Sequence, residues 1–145
     1  MTAVDNLTTL RQRREAIVKE HADAENQHDV EATIATFHRP RYEVNGVASD
    51  GEAAVRDLLQ GLMDGFPDMH AAIGTLRHAD DAVFGEALIT GTHNGEWAGV
   101  PATGRRVEIP MVAIFEFDGD RLLCEKVYMD MVTPLTQIGV LPPMG

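Results

Sequence analysis

The sequence predicts an α+β domain in which helices pack across the concave face of a curved antiparallel sheet. Helical periodicity is confined to the N-terminal part of the chain, and strand-like patterns follow one another in the C-terminal part. Short turns separate most of those strands, which favours an antiparallel meander over a doubly wound fold. The 145 residues, of which 44% are hydrophobic, suffice for one domain over 1–145. Such a sheet leaves a cone-shaped cavity, a usual small-molecule site.

Two helices are predicted near the N-terminus. Apolar residues at helical spacing predict a long helix over 7–27, with charged residues covering its other faces. A shorter helix is predicted over 30–37, because Asp29 suits the N-cap position and Pro40 prevents the helix from continuing. His21, which falls on the first helix, is predicted to lie at the surface.

A first strand and a third helix follow. The segment "RYEVNGV", residues 41–47, alternates in polarity and is predicted as one strand. In "SDGE", Ser49 and Glu52 have the spacing of a capping box, which predicts that a third helix over 53–66 begins here.

Four strands are predicted in the second half of the chain, over 69–77, 82–92, 107–117 and 122–131. The turns "HADD" and "DGD" connect neighbouring strands, and a short helical turn with a proline-rich tail follows. Between the second and third strands lies "GTHNGEWAGVPATGRR", which is rich in glycine and polar residues. We expect this connection to form a lid or rim over the mouth of the cavity.

The composition excludes several classes of function. The net charge of −11 and the lack of a basic stripe exclude nucleic acid and anionic membrane surfaces as expected partners. No apolar run has the length of a membrane span, so we predict a soluble, cytoplasmic protein. The spacings typical of metal sites and the glycine-rich motifs of nucleotide sites do not occur, so no metal or cofactor is predicted. The single cysteine, Cys124, is predicted to be a core residue.

Several motifs follow one another in the chain: "FPDMHAAI", "TGTHNGEWAGVPATGRRVEIP", the turn "DGDR", "EKVYMD" and "LTQIGVL". Together they resemble the SnoaL-like polyketide cyclase family of the nuclear transport factor 2-like superfamily. The resemblance implies a cone-shaped α+β fold. It also implies an activity among those of the superfamily, whose members include aldol cyclases, isomerases, hydrolases, dehydratases and non-catalytic binding proteins.

Asp130 is the leading candidate for a catalytic base. It lies in the apolar segment "KVYMDMV", where burial would raise the pKa of a carboxyl group. Alternatively, it caps the turn before Pro134. Tyr128, two residues earlier, leaves the same face of the strand and would stabilise a substrate oxygen. In cyclases of the family the aspartate pairs with a histidine on the preceding strand, and Glu116 occupies about that place here.

Five further residues are candidates for the site. His93 is a candidate acid or base, and Asn94 beside it a candidate substrate ligand; the alternative for His93 is a hydrogen-bonded loop residue. Trp97 is predicted either to wall the cavity mouth or to pack in the core. His38 and Glu116 are candidates for substrate binding. Their alternatives are a favourable contact at a helix C-terminus for His38, and an outward-facing residue paired with a base for Glu116.

These residues and the resemblance together predict a cofactor-free enzyme that acts on a small or polyketide-like apolar carbonyl compound. The reaction would begin with removal of a proton next to the carbonyl and end in cyclisation or isomerisation. Two alternatives stay open: a hydrolase that adds water to an epoxide or lactone, and a non-catalytic binding protein. A homodimer formed through the open face of the sheet is also predicted, because strands such as "MVAIFEF" are apolar on both faces.

Overall fold

Four helices and a seven-stranded sheet form the fold, which the computed structural model describes for residues 2–143. The helices are α1 (Ala3–Asn26), α2 (Val30–Ala35), α3 (Glu52–Gly65) and a short C-terminal α4 (Val132–Gln137). The strands are β1 (Arg41–Val44), β2 (Val47–Asp50), β3 (His70–Ile73), β4 (Arg77–His78), β5 (Ala82–Thr92), β6 (Arg106–Asp118) and β7 (Arg121–Met129). The predicted α+β class is confirmed. Among the helices of the described residues, none has the length and apolar character needed to cross a membrane.

The sheet is mixed, and in this respect the predicted antiparallel sheet is wrong. The strand order is β2-β1-β7-β6-β5-β3, with β4 also paired to β5, and β5, β6 and β7 form the predicted antiparallel meander. The first strand, however, pairs in parallel with the last. No hairpin joins β1 to β7, so the connection does not force their directions to be opposite.

Two local features differ from the prediction for 41–52. The predicted single strand is a hairpin of β1 and β2, and its two-residue turn is Asn45–Gly46 with φ values of 50° and 83°. Positive φ at both turn residues is typical of a type I′ hairpin, for which Asn-Gly is the preferred sequence. Ser49 lies in β2 and does not cap α3; the N-cap is Gly51, which has a φ of 90° and makes no side-chain cap bond.

The core lies between the helices and one face of the sheet. Alternate residues of β5 and β6 point to this inner face and are buried, namely Val83, Ala87, Ile89, Val107, Ile109, Met111, Ala113 and Phe115. From the helices, Val18 of α1 and Val55 and Leu59 of α3 pack against them. On the other face of the sheet, Leu88 and Tyr128 are exposed.

Candidate active site

A cavity of about 440 Å³ lies between the inner face of the sheet and the helices α1 and α3. Its wall is mainly apolar and includes the methionines Met69, Met111, Met129 and Met131. Exposed lining residues mark its mouth, namely Asp57, Gly61, Glu96 and Ala98. The inner end carries buried polar groups, which include Tyr42 and Glu125. Methionine side chains adapt to irregular ligands, so this wall suits an apolar small molecule.

Four ionisable side chains meet at the inner end of the cavity. His21 and Glu25 lie one turn apart on α1, so their side chains project from the same face of the helix. Tyr42 of β1 and Glu125 of β7 are register partners in the parallel pair, so they point to the same side of the sheet. The pairing of the first strand with the last therefore places two acids, a phenol and an imidazole together.

The hydrogen bonds of this cluster indicate that His21 is an imidazolium ion. Its Nδ1 lies 2.7 Å from the hydroxyl oxygen of Thr36, whose own hydrogen is donated to the carbonyl oxygen of Thr33. Nδ1 must therefore donate. Its Nε2 lies 2.8 Å from the Tyr42 hydroxyl and 3.0 Å from Glu25 Oε1. The hydroxyl of Tyr42 donates to Glu25, so Nε2 must also donate.

The pKa values of the cluster are pushed in opposite directions. Burial alone would lower the pKa of His21, but the charges and hydrogen bonds of Glu25 and Glu125 outweigh it and raise the pKa to about 10. Burial raises the pKa of Glu25, yet His21 and Tyr42 lower it overall. For Glu125, burial and the charge of Glu25 raise the pKa. Burial, followed by the neighbouring carboxyl groups, raises that of Tyr42.

These opposite shifts favour the ionised form of Glu25 beside the imidazolium and the protonated form of Glu125, whose carboxyl oxygen lies 3.7 Å from Nε2. In those forms the cluster is neutral as a whole, which suits a buried site. Two titratable groups whose pKa values are driven apart are the usual arrangement of a base beside an acid. The site therefore offers a carboxylate to take a proton and a carboxyl group to give one.

The same atoms also meet one requirement of a metal site. Donor atoms of His21, Glu25 and Glu125 lie within 4.8 Å of one another. A metal ion would have to displace the proton on Nε2, because the hydrogen bonds use both ring nitrogens as donors. The geometry of the cluster therefore fits a proton network directly and a metal only after deprotonation of the histidine.

Asp130 lies outside this cavity, and its predicted burial is wrong. Its exposed carboxylate accepts hydrogen bonds from the backbone N–H groups of Val132 (2.7 Å) and Thr133 (3.2 Å) and from the Thr133 hydroxyl. The bonds from Thr133 and Val132 lower the pKa of Asp130, opposite to the predicted rise. Tyr128 shares the face of Asp130, as expected, but that is the open face, where Tyr128 is 49% exposed. This geometry favours the alternative in which Asp130 caps the turn.

Trp97 and His93 both lie near the cavity, in different roles. Trp97 lines the cavity and packs edge-on against Phe66, with ring centroids 5.3 Å apart. His93 is fully buried on the far side of Phe66, and its Nδ1 lies 2.9 Å from the Thr103 hydroxyl. Within residues 2–143 it is not among the side chains that line the cavity. Its contacts fit the alternative of a hydrogen-bonded loop residue.

The structure does not bring the other three candidates into the cavity. Asn94 is exposed, and its backbone N–H donates to the carbonyl oxygen of Gly65. His38 is exposed just after the end of α2, and its backbone N–H donates to the carbonyl oxygen of Leu122 in β7. Glu116 lies on the open face of the sheet with its carboxylate 3.4 Å from Lys126 Nζ. This fits the alternative of an outward-facing residue paired with a base.

The sequence patterns of histidines and acids did not predict the buried cluster. His21, predicted at the surface, is fully buried. One signal was available: His21 lies three residues after Val18 and three before Ala24, so it shares their buried helix face. A glutamate one turn further on the same face is the second part of that signal.

Solved structures of the same fold include two proteins from Streptomyces species and one from Jannaschia. AclR from Streptomyces galilaeus, described as a candidate hydroxylase, is 25% identical, with a TM-score of 0.79 over 91% of this chain and 84% of that one. IdmH from Streptomyces antibioticus, described as a candidate polyketide cyclase, is also 25% identical, with a TM-score of 0.71 over 87% and 98% of the two chains. A SnoaL-like protein from Jannaschia sp. CCS1 is 20% identical, with a TM-score of 0.81 over 90% and 94%.

The family itself is identified from the sequence. A comparison with curated proteins finds no match. The sequence model of the SnoaL-like polyketide cyclases, however, matches residues 15–138, a span that begins in α1, ends after α4 and includes all four residues of the buried cluster. The chain therefore belongs to the SnoaL-like polyketide cyclase family, as its motifs predict.

Proposed function

We propose that this protein is an acid–base enzyme that removes a proton next to the carbonyl group of a small or polyketide-like apolar substrate. Aldol-type cyclisation or isomerisation would follow. The observation that supports this proposal is the buried cluster of His21, Glu25, Tyr42 and Glu125 at the inner end of an apolar cavity. Membership of a cyclase family and the likeness to IdmH support the same class of reaction.

Each group of the cluster has a role in this reaction. Glu25 takes the proton from the carbon next to the carbonyl, and Tyr42 and His21 hold its other oxygen in place. Glu125 donates its proton to the carbonyl oxygen, which gives an enol without a free charge in the cavity. In isomerisation, Glu25 returns its proton to another carbon of the enol, and the enol hydroxyl gives its proton back to Glu125. In cyclisation, the enol carbon attacks a second carbonyl, Glu25 protonates the new alkoxide, and the enol hydroxyl again returns its proton to Glu125.

The same pair of carboxyl groups supports hydrolysis as a second candidate. Glu25 would activate a water molecule, and Glu125 would protonate the oxygen of an epoxide or lactone as the ring opens. A carboxylate beside a carboxylic acid serves both reactions equally well, so the choice between them depends on the substrate. The buried, partnered carboxylate favours either enzyme over a non-catalytic binding protein.

Exchange of α-protons tests the proposal without knowledge of the substrate. In D₂O, the protein should accelerate deuterium incorporation next to the carbonyl of 1-tetralone, measured by NMR. Glu25→Gln and Glu125→Gln should each slow the exchange by about 10²–10⁴-fold, the usual contribution of a general acid or base. Glu116→Gln is the matched control, because that carboxylate lies on the open face, and it should keep the wild-type rate.

A parallel assay separates the alternatives. If the protein catalyses no exchange but converts styrene oxide to its diol, and Glu25→Gln abolishes that conversion, the hydrolase is correct. If neither compound reacts with any variant although both bind, the proposal of an enzyme fails for these substrate classes. Circular dichroism of each variant would show whether the fold is retained.

A further inference from the structure

Apart from Tyr42, the ionisable side chains that line the cavity all carry carboxyl groups. Glu25 and Glu125 lie at the inner end, and Asp57 and Glu96 lie at the mouth. Within residues 2–143, no lysine or arginine lines the cavity. The imidazolium of His21 is fully buried behind Glu25 and is already paired with it. A ligand that enters therefore meets carboxyl groups and no accessible cationic side chain.

This arrangement discriminates between ligands by charge. An anionic ligand would lose hydration on entering the apolar cavity and would find no countercharge, which is costly. A cationic ligand would be attracted by the carboxylates at the mouth, because a cleft with low-dielectric walls and charges of one sign concentrates their field. The aromatic rings of Trp97 and Tyr42 also line the cavity, and ring faces attract cations.

We propose that the ligand of this cavity is an apolar molecule with a basic amine, bound as an ammonium ion. Its nitrogen would lie towards the mouth, near Asp57 and Glu96, and its carbon skeleton would contact the methionine wall. The opposite end would then reach Glu25 and Glu125. The inference concerns the same cavity as the proposed function and extends it to a substrate that carries both an amine and a carbonyl group.

Three compounds of one skeleton test the charge preference directly. They are 2-aminotetralin, tetralin-2-carboxamide and tetralin-2-carboxylate, which are cationic, neutral and anionic at pH 7. Trp97 is the only tryptophan of the chain and lines the cavity, so its fluorescence reports binding. The amine should bind most tightly, at least about tenfold better than the carboxylate, and its affinity should fall with added salt. If the carboxamide or the carboxylate binds as tightly as the amine, the inference is wrong.

Variants at the mouth locate the effect. Combined Asp57→Asn and Glu96→Gln substitutions should weaken binding of the amine by about 3- to 10-fold and leave that of the carboxamide unchanged. The control is Glu52→Gln on the same helix, because that carboxylate is exposed and does not line the cavity. An equal loss in the control would show that general surface charge attracts the amine, which would overturn a local site.

The binding and exchange assays test the two proposals independently. A protein that prefers the amine but exchanges no α-protons of 1-tetralone keeps this inference and loses the enzymatic proposal. A protein that exchanges α-protons but binds the carboxamide as tightly as the amine keeps the enzymatic proposal and loses this inference.

Discussion

At the scale of single residues, His21 controls the charge of the buried cluster. An isolated carboxylate such as Glu25 would be very costly to bury, and the imidazolium 3.0 Å away offsets that cost. The same contact keeps Glu25 ionised and therefore ready to accept a proton. Stability and chemistry thus depend on one proton, which makes the stability of the protein sensitive to pH.

The free energy of unfolding should decrease as pH rises from about 6.5 to 10. Carboxyl groups raise the pKa of His21 from 6.5 to about 10, against the effect of burial. Over this range the folded chain holds a proton that the unfolded chain has lost, so the contribution is complete below pH 6.5 and is gone above the folded pKa. The raised pKa of Glu125 acts in the same direction, but its contribution begins to fall at the unfolded value of 4.5. Urea unfolding should show a slope of up to about 1.4 kcal/mol per pH unit per group.

The variant His21→Gln provides the comparison for this pH series. It removes the titrating ring and should flatten the dependence between pH 7 and 9.5, at a lower overall stability because Glu25 loses its partner. A wild-type profile that is already flat in this range would contradict the assignment of an imidazolium.

Asp130 should matter for stability and not for turnover. Its carboxylate accepts two backbone N–H groups and a hydroxyl at the start of α4, on the side of the sheet that faces away from the cavity. Asp130→Ala should lower the midpoint of thermal unfolding and leave the exchange rate of 1-tetralone unchanged. Loss of exchange with an unchanged melting temperature would restore the catalytic base that the sequence favoured.

The contrast between Asp130 and Glu125 shows how far the sequence could predict the site. In β7, the polar side chains Lys126, Tyr128 and Asp130 alternate, which marks their shared face as the outer one. Glu125 then has to lie on the inner face with Val127. That argument was available from the strand alone. The partners of Glu125 could not be predicted, because neither the approach of α1 nor the parallel pairing of β1 leaves a local pattern in the sequence.

At the scale of elements, the connection between β5 and β6, residues 93–105, is a rim fixed to α3. The backbone N–H groups of Asn94 and Gly95 both donate to the carbonyl oxygen of Gly65, each at 3.1 Å, and so satisfy the C-terminal end of the helix. Gly95 allows this approach, since a Cβ there would overlap the carbonyl oxygen of Asp64. The first half of the connection, which these bonds anchor, places residues 96–98 at the cavity, as the composition of the connection suggested.

Two glycine substitutions on neighbouring elements should have opposite effects on stability. Gly95→Ala should destabilise the protein by about 1–3 kcal/mol, because backbone atoms of α3 would have to move. Gly61→Ala is the control within α3, since nothing lies within 4 Å of its added Cβ and alanine is the better helix former, worth up to about 1 kcal/mol. Thermal unfolding of both variants measures these effects. A neutral Gly95→Ala would contradict the anchored rim.

At the scale of the whole molecule, the open face of the sheet is the surface most suited to another protein chain. It exposes Leu88 (39%) and Tyr128 (49%) around a shallow groove that also includes Pro110 and Val112. Antiparallel strands with apolar residues on both faces usually bury both. The homodimer predicted from the sequence stays a prediction, and these residues are where it should form.

Light scattering after size-exclusion chromatography tests the dimer. The wild-type chain should elute as a dimer, and Leu88→Glu combined with Val112→Lys should give a folded monomer. Val4→Glu is the control, because Val4 is 73% exposed on α1 and lies away from the sheet. A wild-type chain that remains monomeric at high concentration would exclude this interface.

The parallel pairing of β1 with β7 also determines when the buried cluster can form during synthesis. Tyr42 finds its strand partner Glu125 only after more than eighty further residues have been made, since the two pair directly in the sheet. Contacts so distant in sequence form slowly, and until β7 leaves the ribosome, His21, Glu25 and Tyr42 lack their fourth member. A nascent chain that stops before β7 has most of its helices but no acid pair. Translation of the last strand therefore completes the buried cluster and joins β1 to β6 in the same step.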